Sequence, residues 1–322
     1  MAIVIAFGAL VLAVAILAIA GVFSGNDNSG GGTGDESFGI STATTAAPPA
    51  PPAQPRVKRI PIQGKPDSIS AGAGQVWVAD SLAGTVQSIN PRSGRPTGIP
   101  VAGFPTDVSA GEGAGWIPLP DQGAVQRLTA TKAAQPVHLQ GFPFQIAAGE
   151  GATWAMSQNA VEKLDPSSGR PQGPPTRLKG AGSSIAAGGG WVWVTRSNRD
   201  VVRISPDDGE LSDTAARVPG AFNVTVGESA VWVLGAGGTL TRVDPDSGEA
   251  AGTSVKVPRA LDVAAGLGSV WVLTQSDVQR FDPATGALAG KPIQVGGQPQ
   301  SIAAGEGAVW VAGQGAVYRI TP

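Results

Sequence analysis

The sequence of 322 residues contains no cysteine, one histidine (His138) and one tyrosine. Without Cys, a disulfide scaffold, a thiolate zinc site and thiol catalysis are all excluded. Any His-based metal site or Ser-His-Asp arrangement has to rest on His138 alone. Charge is also scarce. Only 14% of residues are Asp, Glu, Lys or Arg, against about 25% in an average domain. The net charge of -2 argues against a nucleic-acid partner. No metal site and no cofactor motif is present. What the chain has in excess is Gly (47), Pro (27) and Trp (8). The first two break helices, so the fold should be built from strands and turns.

Residues 2–23 form an uncharged apolar run, and about 20 such residues span a bilayer core of ~30 Å. A transmembrane helix over residues 1–23 is therefore expected. A cleaved signal peptide is the rival reading, because Ala18-Ile19-Ala20 offers a cleavage site. The first basic residue is Arg56, so the positive-inside rule puts the stretch after the helix on the extracytoplasmic side. Residues 24–55 are Gly/Ser-rich and then Pro/Thr/Ala-rich. Such composition cannot bury a core, which predicts a disordered linker. The expected location is the cell membrane, single-pass, with the remainder outside.

From residue 56 to 322 the chain repeats. Seven of the eight Trp, at 77, 116, 154, 193, 232, 271 and 310, are spaced by 38 or 39 residues. Each lies five residues after a Gly, from Gly72 to Gly305. A period near 40 with short strands marks a β-propeller. The last unit predicts an innermost strand at 301–304, a hairpin turn at Gly305-Glu306-Gly307, a second strand at 308–312 and a third at 317–320. The fourth is predicted from the preceding unit at 291–295. The final unit stops before its own fourth strand, while residues 57–62 resemble one. The N-terminal strand should therefore close the last blade. The prediction is an all-β, seven-bladed β-propeller with a period of about 39 residues.

A residue that recurs from blade to blade is structural by default. That covers Trp77, Trp116, Trp154, Trp193, Trp232, Trp271 and Trp310, and the basic row Arg127, Lys163, Arg203, Arg242, Arg280 and Arg319, expected over aromatic faces. Glu112, Glu150, Glu228 and Glu306 read as solvated turn residues, and His138 as an edge residue. Residues that break the repeat are better ligand candidates. Loops from fourth to first strand and from second to third strand should share one face. They carry Phe104, Asp107, Phe142, Phe144, Arg196, Asn198, Arg199, Phe222, Asn223 and Arg259. This polar and aromatic mix suits a cell-wall glycan, a peptide or a protein ligand. Trp191 marks the blade that carries Arg196 and Arg199.

The unit Pro299-x-x-Ile302-Ala303-x-Gly305-Glu306-Gly307-Ala308-Val309-Trp310-Val311-Ala312, with its downstream Asp-Pro-x-x-Gly turn, resembles bacterial propellers of the YVTN and streptogramin-lyase-like superfamily. The streptogramin lyases linearise a cyclic depsipeptide with a His/Glu site and magnesium. No His stands in the loops leading into the blades here, so no catalytic residue is assigned. The order of helix, Pro/Thr/Ala linker and propeller also resembles the extracytoplasmic sensor half of actinobacterial membrane Ser/Thr kinases. No kinase motif is present. The resemblance implies a membrane-tethered sensor or interaction module, with a lyase-like enzyme as the alternative.

Overall fold

Residues 54–197, 200–212, 216–252 and 254–322 are described in the computed structural model of the chain. The expected membrane helix at 1–23, and the linker up to residue 53, lie outside them. Among the described residues no helix is long and apolar enough to cross a membrane.

Seven antiparallel sheets account for these residues. Each second strand is apolar on both faces. Ala308–Gly313 is buried at every position, as are Ala230–Gly235 and Ser269–Thr274. A strand buried on both sides needs a neighbouring sheet on each, and a ring of blades supplies it. The inner strands, among them Ser68–Gly72, Gln145–Gly149 and Pro299–Gly305, pack each against the next around the axis. The seventh returns to the first.

Ring closure follows the expected route. Arg56–Pro61 pairs antiparallel with Ala316–Thr321, placing Val57 opposite Ile320 and Ile60 opposite Val317. The strand begins and ends one residue earlier than the sequence suggests. The predicted outer strand at 291–295 shortens to Ile293–Gln294, with a separate bridge between Phe281 and Leu288. In the second blade, Pro118 stays within the strand Ala114–Leu119, and a 3-10 turn at Pro120–Gln122 follows it.

The repeated Gly and Trp belong to one device. In five of the seven blades the Trp indole donates from Nε1 to the carbonyl oxygen of the Gly five residues earlier, as in Trp154 to Gly149 and Trp310 to Gly305, both 3.0 Å. The Gly is needed for a second reason. A Cβ on Gly305 would sit 2.6 Å from the Ala71 carbonyl oxygen of the next blade. The turn itself is centred on Glu306 and Gly307, both with positive φ (51° and 74°), as a two-residue type I′ hairpin requires. Gly305 thus serves inter-blade packing, and Gly307 serves the turn.

The basic row is explained by register. Arg127, Lys163, Arg203, Arg242, Arg280 and Arg319 each lie directly opposite the Trp of their own blade. Lys163, Arg280 and Arg319 approach those rings at 5.7, 5.5 and 5.3 Å, within cation–π range. Trp191 is the ring closest to Arg203, at 4.1 Å. It sits at the hairpin end of the strand Trp191–Arg196, whose other end is Arg196.

The turn glutamates lie at the surface, as expected, and each also accepts a hydrogen bond from the next blade. Glu112 accepts from Gly151 N–H, Glu150 from Gly190, Glu228 from Gly268 and Glu306 from Gly74, at 2.9 to 3.2 Å. Each latches its hairpin to the next blade, and Glu306 joins the last blade to the first.

Candidate functional site

The loops from fourth to first strand and from second to third strand do share one face. Phe104 N–H donates to Asp121 Oδ1 at 3.2 Å, Gln122 Nε2 donates to Ala102 O at 3.0 Å, and Ala236 N–H donates to Gly220 O at 2.9 Å. Below these loops the seven inner strands surround an axial cavity of about 400 Å³.

The cavity wall follows from one position in the repeat. Four residues before each inner-strand Gly stand Ser68, Asp107, Gln145, Ser184, Asn223, Asp262 and Ser301, and all line the cavity. Every one is polar, while the next residue is always Ile or Val and points into the blade core. Strand alternation produces this split.

These side chains bridge blades as well as facing the axis. Ser68 Oγ donates to Asp107 Oδ1 at 2.8 Å and accepts Val108 N–H at 3.1 Å. Asp107 Oδ2 accepts Ile146 N–H at 3.0 Å. Farther round, Ser184 Oγ donates to Asn223 Oδ1 at 3.3 Å and Asn223 Nδ2 donates to Asp262 Oδ1. Asp262 Oδ1 also accepts Val263 N–H, and its Oδ2 accepts both Ser301 Oγ and Ile302 N–H, at 2.7 to 2.8 Å.

The carboxylates are desolvated by the surrounding strands. Burial pushes Asp107 up to about 6 against the pull of its hydrogen bonds, with a smaller contribution from the charge of Asp262. Asp262 is raised too, first by burial. Both line the axial cavity.

The candidate residues divide into groups. Asp107, Asn223 and Phe222 line the cavity. Phe104 and Phe142 are exposed on the loop face, at 54% and 74% of full accessibility. Phe144 packs partly against the core between the third and fourth blades, and Thr106 Oγ1 donates to its carbonyl at 2.8 Å. Arg259 is exposed with φ of 62°. Arg196 is buried, and its guanidinium makes a two-point ion pair with Asp200, Nε to Oδ1 at 2.8 Å and a second contact from Nη2 to Oδ2. That pairing occupies its charge. Asn198 and Arg199 lie outside the described residues. Ser68, Gln145, Ser184, Asp262 and Ser301 were missed by the sequence reading. Comparing the seven repeats column by column exposes them, because this column alone in the inner strand is polar throughout.

A His/Glu magnesium site does not fit these residues. His138 lies exposed on the outer strand Val137–His138, with Nδ1 3.1 Å from Gln122 O, and is not in the cavity wall. Among the described residues no three His, Asp or Glu are grouped to hold a metal ion.

No protein-family model matches the chain, and no curated relative matches it. Solved structures do. Virginiamycin B lyase from Staphylococcus aureus is similar with a TM-score of 0.71 at 19% identity, over 84% of this chain and 100% of that one. U3-55K gives 0.69 at 10% identity over 83% and 98%. BamB from Moraxella catarrhalis gives 0.58 at 10% identity over 80% and 85%. The chain is an all-β, seven-bladed propeller that resembles virginiamycin B lyase in fold.

Proposed function

We propose that the chain is a ligand-binding or protein-interaction propeller, tethered to a cell membrane by its N-terminal segment and facing the extracytoplasmic side. In this reading it is the recognition half of a sensor, such as a Ser/Thr kinase system. The supporting observation is the axial cavity of about 400 Å³, walled by hydroxyl, amide and carboxylate side chains and open toward the loop face. Its size falls in the range of small-molecule pockets, about 300–1,000 Å³. Phe222 at its rim, with Phe104 and Phe142 farther out, adds apolar surface for a larger glycan or peptide.

The test is saturable binding of soluble peptidoglycan fragments to the full-length chain in detergent, by calorimetry. Binding should weaken on Asn223→Ala and Phe142→Ala. No saturable binding to glycan or peptide fragments overturns the reading. Protease accessibility of the propeller on intact cells tests its side of the membrane.

A second reading is a lyase-like enzyme, favoured by the similarity over the whole length of virginiamycin B lyase. It requires opening of virginiamycin B by the purified chain. Absence of turnover sinks it.

A further inference from the structure

The cavity wall has a charge property that its polarity alone does not convey. Among the described residues it contains Asp67, Asp107 and Asp262 but no Lys, Arg or His. The chain has 22 Lys and Arg, and the repeated basic row stands on third strands opposite the Trp. Asp67 accepts from Ser81 N–H and Oγ at the exposed rim. Asp107 and Asp262 accept only from neutral donors, namely Ser, Asn and backbone N–H groups. Both carboxylates therefore lack a protein counter-ion.

Their remaining capacity differs. Asp262 accepts four hydrogen bonds, the full complement of a carboxylate. Asp107 has one partner on each oxygen, Ser68 and Ile146, with Val108 N–H nearby, so at least one acceptor site is open to the cavity. Beside it in the ring, the Gln145 amide has no hydrogen-bond partner among the described residues and faces the same space. An unpaired anion in a partly desolvated site is stabilised strongly by a cation and weakly by a neutral group. The two carboxylates belong to the second and sixth blades, and no three donors are grouped for a metal ion. The fitting cation is an organic one.

We propose that the axial cavity recognises its ligand through a primary ammonium group, held by Asp107 as counter-ion with the Gln145 amide beside it, the ligand's polar body contacting the ring of Ser and Asn side chains. This deepens the ligand-binding reading above and rests on it. The same ammonium chemistry comes from an amino sugar or from a peptide amino terminus.

The experiment is calorimetric titration of the full-length chain in detergent at about pH 7 with four probes. These are glucosamine, N-acetylglucosamine, alanyl-alanine and N-acetyl-alanyl-alanine. The free amine should bind roughly tenfold or more tightly than its acetylated partner, since a charge-assisted hydrogen bond is lost on acetylation. Preference for glucosamine or for the dipeptide identifies the source. Asp107→Asn should abolish the difference between amine and amide. If that variant does not fold, judged by Trp emission, Gln145→Ala should weaken amine binding in a folded protein. Equal binding of amine and acetylated probes overturns the ammonium proposal and leaves the ligand-binding reading standing. No binding of any probe overturns both.

Discussion

The indole nitrogen of Trp271 lies 3.0 Å from the carbonyl oxygen of Gly266, five residues earlier in the chain. The equivalent Nε1 of Trp232 is buried without a partner among the described residues. The two positions share strand, register and burial, so Trp→Phe leaves a similar void at each. At Trp271 the change also strips the Gly266 carbonyl of its donor. At Trp232 it removes an unsatisfied group. Trp271→Phe should therefore be more destabilising than Trp232→Phe by about 1 kcal/mol in urea unfolding. Equal losses would show that the indole bond adds nothing.

Closure of the ring rests on a strand far from its partner in sequence. Ile60 is 3% exposed and packs between the last and first blades, while Val57 in the same strand is 43% exposed. Ile60→Ala should cost about 2–5 kcal/mol, and Val57→Ala about 0.5 kcal/mol or less. Similar midpoints for both variants would mean that the N-terminal strand contributes pairing but no core.

The Arg196–Asp200 pair is a buried charge held by its neighbour. Asp200→Ala should cost about 3–5 kcal/mol, because it strands the guanidinium. Arg196→Met combined with Asp200→Ala should recover most of that loss. A double variant no better than the single one would remove the electrostatic explanation.

Stability should depend on pH in two opposed windows. Asp107 is raised in the folded state from 3.8 to about 6, and Asp262 moves in the same direction. Their contribution is fully present below the unfolded pKa and is lost as pH rises through the folded value. The turn carboxylates behave oppositely. Hydrogen bonds from Ser167 and Ser168 lower Asp165 to about 2, and backbone and side-chain donors lower Asp208, Asp244 and Asp282. Their contribution is present above the unfolded pKa and is lost as pH falls through the folded one. For Asp107 the loss falls between about pH 4 and pH 6 and amounts to roughly 1–3 kcal/mol. Asp107→Asn should flatten that fall, as read from urea midpoints across the range. An unchanged slope would show that Asp107 is not the titrating group.

The candidate site was only partly legible. Asp107 and Asn223 were named because they stand where the fourth-to-first loops enter the blades, and both line the cavity. Ser68, Ser184 and Ser301 were not named, because a serine in a strand carries no signal until seven strands are aligned. Asp262 was hidden among inner-strand residues for the same reason. Arg196 looked like a free loop cation, yet Asp200, four residues on, folds back across the hairpin to neutralise it.

Blade number, strand order and the route of closure were determined by the sequence itself. They depend on local alternation, turn residues and a 39-residue period, all of which are written along one chain. Tertiary structure decided which side chain bonds to which neighbouring blade. Glu306 meets Gly74 across 232 positions, and Asp262 meets Ile302 across 40. Such contacts arise from the rotation between blades, which no single repeat encodes. The same rotation gathers seven separated polar residues around one axis and leaves two of them anionic without a counter-ion.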